Sequence, residues 1–261
     1  MFARHRVLHR STYMLALMSL FTSVPLTPLE ARRLAVPQFN PEAMAVLNAA
    51  QSGNWNALNK LLPPCSPLLQ SKADSGMTLL QWALEQDKET AFRLLLKAGA
   101  NPEQPGLFGY TVIHDAARHR DSKWLRILLD NAASPDVRNA ETGTLPLYEA
   151  LIANRDVQFA MLIAAKANLK LSDSVGNTPL HIAGLLNKPW HAHYLLLAGA
   201  PPMARNAQKQ TFQRYLFMTR DTLLNQAARE GRQSIIKYLH SKKIPIEYNV
   251  APQKVEASSF G

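Results

Sequence analysis

The side chains able to do chemistry are few and widely spaced. His114 and His181 are of the type that moves protons near neutral pH, and both invite a catalytic reading. His191 and His193 form an HxH pair, but two positions along a helix point about 200° apart, so the pair is poorly placed to share a metal ion. Cys65 is the single cysteine, set among Pro63, Pro64 and Pro67 with no base beside it in sequence. It can form no internal disulfide, and its setting is that of an inert thiol. The chain has no paired-cysteine cluster, no Walker-type phosphate loop, no GxSxG elbow and no HExxH. The sequence therefore predicts no enzyme, no cofactor and no metal centre.

A chain of 261 residues that is 47% hydrophobic can bury a sizeable core. Its organisation is periodic. Gly76, Gly109, Gly143 and Gly176 follow one another at 33, 34 and 33 residues, and seven positions after each stands Ala83, Ala116, Ala150 or Ala183. Ala49 and Ala227 extend the series on either side. Each unit holds a short apolar helical pattern, a break and a second helix with apolar residues at spacings of three and four, such as Ala91, Leu94, Leu95 and Ala98. The break positions are Gly53, Asp87, Arg120, Asn154, Asn187 and Gly231; all but Arg120 tolerate the left-handed backbone of a tight helix-ending turn. Pro146 and Pro179 suit a first helical turn, with Thr178 as a cap.

Residues 176–183 read GNTPLHIA, residues 109–117 read GYTVIHDAA, and AGAN and AGA follow at 98–101 and 198–200. In these motifs the chain resembles the ankyrin-repeat family over roughly residues 42–245. The resemblance implies an all-α solenoid of about six helix-turn-helix units with β-turn finger loops. It also implies that His114 and His181 are structural, bonding to turn backbone. No single helix pair buries its own apolar stripe, so stability must come from stacking neighbours. Met44 and Cys65 depart from the pattern in the first unit and Lys243 in the last, as expected of caps. Ala183 to Ala227 is 11 residues longer than a repeat; an insertion is expected within residues 201–221, with Phe212, Tyr215, Leu216 and Phe217 forming a short amphipathic helix.

The first segment has a different character. Arg4, Arg6 and Arg10 precede an apolar run from Tyr13 to Leu26 that ends near Ala31, the order of parts of a secretory signal peptide. The run is well short of the ~20 residues a membrane-spanning helix needs. The expected organisation is a signal peptide at 1–31, a lead-in at 32–41, repeats at 42–245 and a flexible tail at 246–261. Cleavage after Ala31 would place the chain in the periplasm or outside the cell; an uncleaved signal would anchor it in the membrane. Without the three arginines and one glutamate of that segment the formal charge falls from +10 to +8. Residues 201–261 hold ten Lys and Arg against four carboxylates, an asymmetry that suits an anionic partner.

By the same resemblance, partners bind on the concave side, through finger tips and the exposed ends of opening helices. Those positions include Met77, Leu107, Phe108 and Tyr110 on fingers, and Arg118, His119, Ile152, Leu185 and Leu186 on helices. Aromatic residues and arginine dominate binding energy at interfaces, which singles out Phe108, Tyr110 and Arg118. Trp55, Trp82, Trp124 and Trp190 read as helix packing. The expected function is that of an exported bacterial, monomeric, non-enzymatic protein that binds one protein partner. An inhibitor or immunity protein against an exported toxin, or a peripheral binder of an anionic envelope surface through the basic C-terminal third, are alternatives; nucleic acid is disfavoured because no reading module accompanies the charge.

Overall fold

A computed structural model describes residues 37–63 and 66–247. From Phe39 the chain forms one unit of its own. The expected signal segment, Cys65 and residues 248–261 lie outside the described residues. Twelve α-helices follow in pairs among them: α1 Pro41–Gln51 and α2 Trp55–Leu61; α3 Leu79–Glu85 and α4 Glu89–Lys97; α5 Val112–Arg118 and α6 Lys123–Asp130; α7 Pro146–Ile152 and α8 Asp156–Ala164; α9 Pro179–Leu185 and α10 Pro189–Leu197; α11 Phe212–Leu216 and α12 Gln226–Ser241. The described chain contains no β-strand, only an isolated bridge between Lys72 and Thr78. The all-α stack of six units is therefore as the period foretold.

The opening helices run from five to 11 residues, too short to be stable alone in water, and are held by their ends and their neighbours. Thr78 accepts from the Gln81 amide at 3.2 Å while Gln81 returns a bond to the Thr78 amide at 3.1 Å. Thr111 with His114 and Thr178 with His181 repeat the arrangement, with imidazole in place of the amide. At the inter-helix breaks Gly53, Asp87, Asn154 and Asn187 take positive φ, as expected, and Arg120 does not. The motif alanines Ala83, Ala116, Ala150 and Ala183 are fully buried where opening helices meet, and Phe92 of α4 packs edge-on against Trp124 of α6 at 5.0 Å.

The sixth unit departs from expectation. Lys209 stands 33 residues after Gly176 with φ +59, filling the motif-glycine position, and Thr211 follows as helix cap. α11 is thus the opening helix of this unit, with buried Leu216 where earlier units carry alanine. The added residues do not lie at 201–211; they follow α11, as a turn at Asp221–Leu223 ahead of α12. Gly231 is no break but lies inside the continuous 16-residue α12, where a Cβ would come within 3.0 Å of Pro189. Gly184 has a similar reason: a Cβ there would meet the Phe212 carbonyl at 2.7 Å, so α9 and α11 approach closely only because the residue is bare. Arg232, buried in α12, donates to the Thr219 carbonyl at 2.6 Å and to Asp221 at 2.9 Å, fastening the added segment down.

The beginning of the expected tail is also docked. Glu247 accepts from Thr211 at 2.7 Å and pairs with Arg205 at 2.9 Å, and Gln213 donates to the Pro245 carbonyl at 3.1 Å. Residues 244–247 thereby close the last unit on the side where another repeat would have stood.

Candidate binding face

One side chain makes the joint between consecutive units. Three positions after each cap stand Gln81, His114, Tyr148 and His181, and each reaches the carbonyl just beyond the next unit's turn. Gln81 donates to Tyr110 at 3.1 Å, His114 Nε2 to Thr144 at 3.1 Å, Tyr148 to Asn177, and His181 Nε2 to Gln210 at 2.9 Å. With Nε2 donating, Nδ1 must accept from the threonine, so both imidazoles are neutral. Burial holds His114 down at about 4, below its ordinary value, and lowers His181 too. These histidines are joints, which is the structural role the motif implied.

A second series crosses the helix–helix turns. Lys123 reaches Asp87 at 3.0 Å, Arg155 the Arg118 carbonyl at 2.9 Å, Lys188 the Asn154 side chain, and Arg232 the Asn187 side chain at 3.2 Å. The fingers are linked as well, through backbone bonds from Ala140 to Gly109, Ser174 to Thr142 and Ala207 to Val175. Gly109 has φ +71, and a Cβ on it would come within 2.8 Å of the Glu141 amide. This finger packs against its neighbour because glycine leaves the room.

Those joints decide which predicted contact residues are on the surface. Leu185 and Leu186 at the end of α9 are exposed, Arg118 is exposed, and Leu107, Phe108, His119, Ile152 and Met77 are half-buried. Phe108 adopts φ +54, uncommon for a bulky residue, at the tip of its finger. Tyr110 requires correction. It is only 7% exposed, because the residue after the turn glycine heads back toward the helices and gives its carbonyl to Gln81. Its ring lies 4.8 Å under the Arg118 guanidinium and 5.6 Å from the His114 ring.

Arg118 is therefore a pinned group. It pairs with Asp115, which also accepts from Gln81 at 2.7 Å, and it lies near Glu149 of α7. Glu149 is buried, and that burial, offset in part by Arg118 and reinforced by Asp115, pushes its carboxyl up to about 7. Burial and the nearby Glu149 push the Tyr110 hydroxyl up to about 12. The sequence pattern gave no sign of this five-residue polar knot across units 2 to 4. Tyr110 follows the turn glycine of its finger, and the other four lie on the opening helices of three different units, so no single motif brings them together.

One further residue lies apart from expectation. Trp190, read as packing, is exposed on α10, whereas Trp124 is fully buried. His191 bonds to Asp156 at 3.0 Å while His193 turns toward Trp190 and Tyr238, so the HxH pair does not converge. Among the described residues no group of three or more His, Cys, Asp and Glu is placed to hold a metal ion.

Residues 46–139 match the family model for ankyrin repeats, in three copies. The chain is 42% identical over 120 residues to protein PhlB of Serratia liquefaciens, covering 46% of this chain and 53% of PhlB. It thus spans about half the length of that relative. SH3 and multiple ankyrin repeat domains protein 2 of Homo sapiens is 28% identical over 62% of this chain, though over only 9% of its own length. Among solved structures, the ankyrin repeat domain of Bcl-3 superposes with a TM-score of 0.60 over 85% of this chain and 91% of that one, at 19% identity, a likeness of fold. Repeat period, paired helices, threonine-capped turns and these matches agree: residues 46–139 are ankyrin repeats, and the described stack has the ankyrin-repeat fold.

Proposed function

We propose that this protein is an exported binding module that holds one protein partner on the face formed by its fingers and opening helices, from unit 3 to unit 5. Ankyrin repeats generally mediate protein–protein interaction, and the fold is typical of modules without enzymatic activity. The observation that carries the reading is Leu185 and Leu186, both exposed at the end of α9. The equivalent positions hold Glu85 and Gln86 in unit 2 and Arg118 and His119 in unit 3. Apolar groups exposed together on a rigid frame mark interfaces more often than chance solvation. Ile152 and Phe108 extend the apolar surface, and Arg118, held in place by Asp115 and Tyr110, supplies a preoriented charge at its edge. Export rests on the order of Arg4, Arg6, Arg10, the run Tyr13–Leu26 and Ala31.

The test is affinity capture from envelope extracts with the full chain, beside a variant carrying Phe108→Ala, Leu185→Glu and Leu186→Glu. Specific recovery of one protein by the first and not by the second, at equal helicity and melting temperature, is the expected result. Equal recovery by both would sink the assignment of the face. Cell fractionation with N-terminal sequencing of the mature chain tests export; a cytoplasmic protein that keeps residues 1–31 contradicts it.

A further inference from the structure

On the side of the stack away from the opening helices, the second helices of units 4 and 5 present an apolar surface. Val157 of α8 is 57% exposed, and Trp190, Tyr194 and Leu197 of α10 are 47%, 49% and 64% exposed. The two helices form one patch: Phe159 of α8 lies 5.8 Å from the Tyr194 ring and 4.9 Å from His191. Ala160 and Ala164 of α8 are exposed as well. At the equivalent positions on α4 and α6 stand Arg93 with Lys97 and Arg126 with Asp130. None of the joints described above uses Trp190, Tyr194 or Leu197.

The charges around the patch are not evenly mixed. At its far end, where Leu197 projects, Lys166 follows α8 and Lys242 and Lys243 follow α12, and the last turns of α8, α10 and α12 contain no carboxylate. Lys237 is exposed on α12, one residue before Tyr238, whose ring lies 6.5 Å from His193. The acids nearby are Asp130 at the end of α6, Asp156 at the start of α8 and Glu230 beside Gly231 in α12; Asp156 is occupied by His191 and Glu230 accepts from Gln226 at 2.9 Å.

We propose that this patch docks the protein onto an anionic lipid surface. Tryptophan and tyrosine have apolar bodies and polar tips, which suit the boundary between headgroups and acyl chains, and leucine and valine enter beneath them. Lysines at the rim meet lipid phosphates, and short apolar insertion combined with cations is how a peripheral protein holds a membrane without spanning it. No described helix is long and apolar enough to cross a membrane. A second copy fits less well, since a twofold pairing of this face would set Lys166, Lys237, Lys242 and Lys243 against the same set. The surface lies on different helices from the proposed partner face, so either can fail without the other.

The experiment is co-sedimentation of the full chain with vesicles of phosphatidylglycerol and phosphatidylethanolamine, with phosphatidylcholine vesicles as reference. Anionic vesicles are expected to hold the protein, and binding should weaken in high salt as the lysine contribution is screened. Tyr194→Ser with Leu197→Glu should lower the partition at least about tenfold, the equivalent of losing one or two buried apolar side chains. The substituted positions are exposed, so helicity and melting should be unchanged. Acyl-chain bromination should quench the fluorescence of the natural chain and leave that of Trp190→Phe little changed. Failure to sediment, or equal sedimentation by the variant, as binding through residues 13–26 would give, overturns the proposal. So does a change in oligomeric state in place of vesicle binding, which would assign the patch to a second copy.

Discussion

On α4 and α6 the residues turned to solvent are Arg93 and Lys97, then Arg126 and Asp130; on α8 and α10 the same register positions hold Ala160 and Ala164, then His193 and Leu197. The core-facing sides do not differ in this way. Leu95, Leu128, Leu162 and Leu195 occupy one register position in the four helices and are all fully buried. The stacking requirement fixes one face of each helix and is indifferent to the other. A change confined to the outer face is therefore a statement about what that face meets.

The largest effects should erase the comparison. Leu95→Ala, Leu128→Ala, Leu162→Ala and Leu195→Ala are each expected to cost about 2–5 kcal/mol, the range for emptying a buried leucine site. Urea titrations should show no systematic difference between the charged pair and the apolar pair. A much smaller cost on α8 and α10 would mean that their apolar residues are interchangeable, and that inner and outer faces are not distinct there.

The boundary between the two regions runs through the polar knot, and pH should sharpen it. The folded Glu149 carboxyl is raised to about 7, so its stability contribution is fully present below the unfolded value and is lost as pH rises through 7. His114 has the opposite sign: its folded value is depressed to about 4, so its contribution is present above the unfolded value and lost as pH falls toward 4. Glu149→Gln should leave a protein whose stability rises between pH 4 and 6.5. His114→Gln, which borrows the residue of the same slot in unit 2, should leave one whose stability falls between pH 4.5 and 7. Each change is on the order of 2 kcal/mol across its window. Parallel curves for the two variants would refute the assignment.

Helix caps come next in size. Thr78→Val in the charged region and Thr178→Val in the apolar one should each lower stability by about 1 kcal/mol, measured by thermal unfolding. Least of all, Trp190→Lys with Leu197→Lys should alter stability by no more than about 0.5 kcal/mol, as is usual at exposed positions. A loss of several kcal/mol would show that these side chains support the stack and are not displayed.

The stack itself was plain in the sequence because glycine, threonine and alanine at fixed offsets answer to backbone demands that few other residues meet. The last unit was misregistered for the converse reason. Lys209 takes the left-handed conformation in place of glycine, and Leu216 stands in place of alanine, on the helix whose backbone approaches the bare Gly184. Ala227, the expected residue type at the wrong register, carries the pattern in the sequence instead. On the candidate face, Leu185, Leu186 and Arg118 were legible as helix-end positions, whereas Tyr110 was not, since its burial depends on Gln81 29 residues earlier taking its carbonyl. The outer patch is not legible in the sequence because Trp190 and Trp124 are the same residue type, and only the packing of each helix tells display from core.

The joint made by the third residue of each opening helix also has a direction. The side chain always belongs to the earlier unit and the carbonyl to the later one, and three kinds of residue, glutamine, histidine and tyrosine, fill the role at four joints. A unit removed or duplicated between equivalent positions would leave neighbours that still present matching halves. Over evolutionary time the length of this platform is thus free to change by whole units, while the residues on its two outer surfaces vary independently of the joinery.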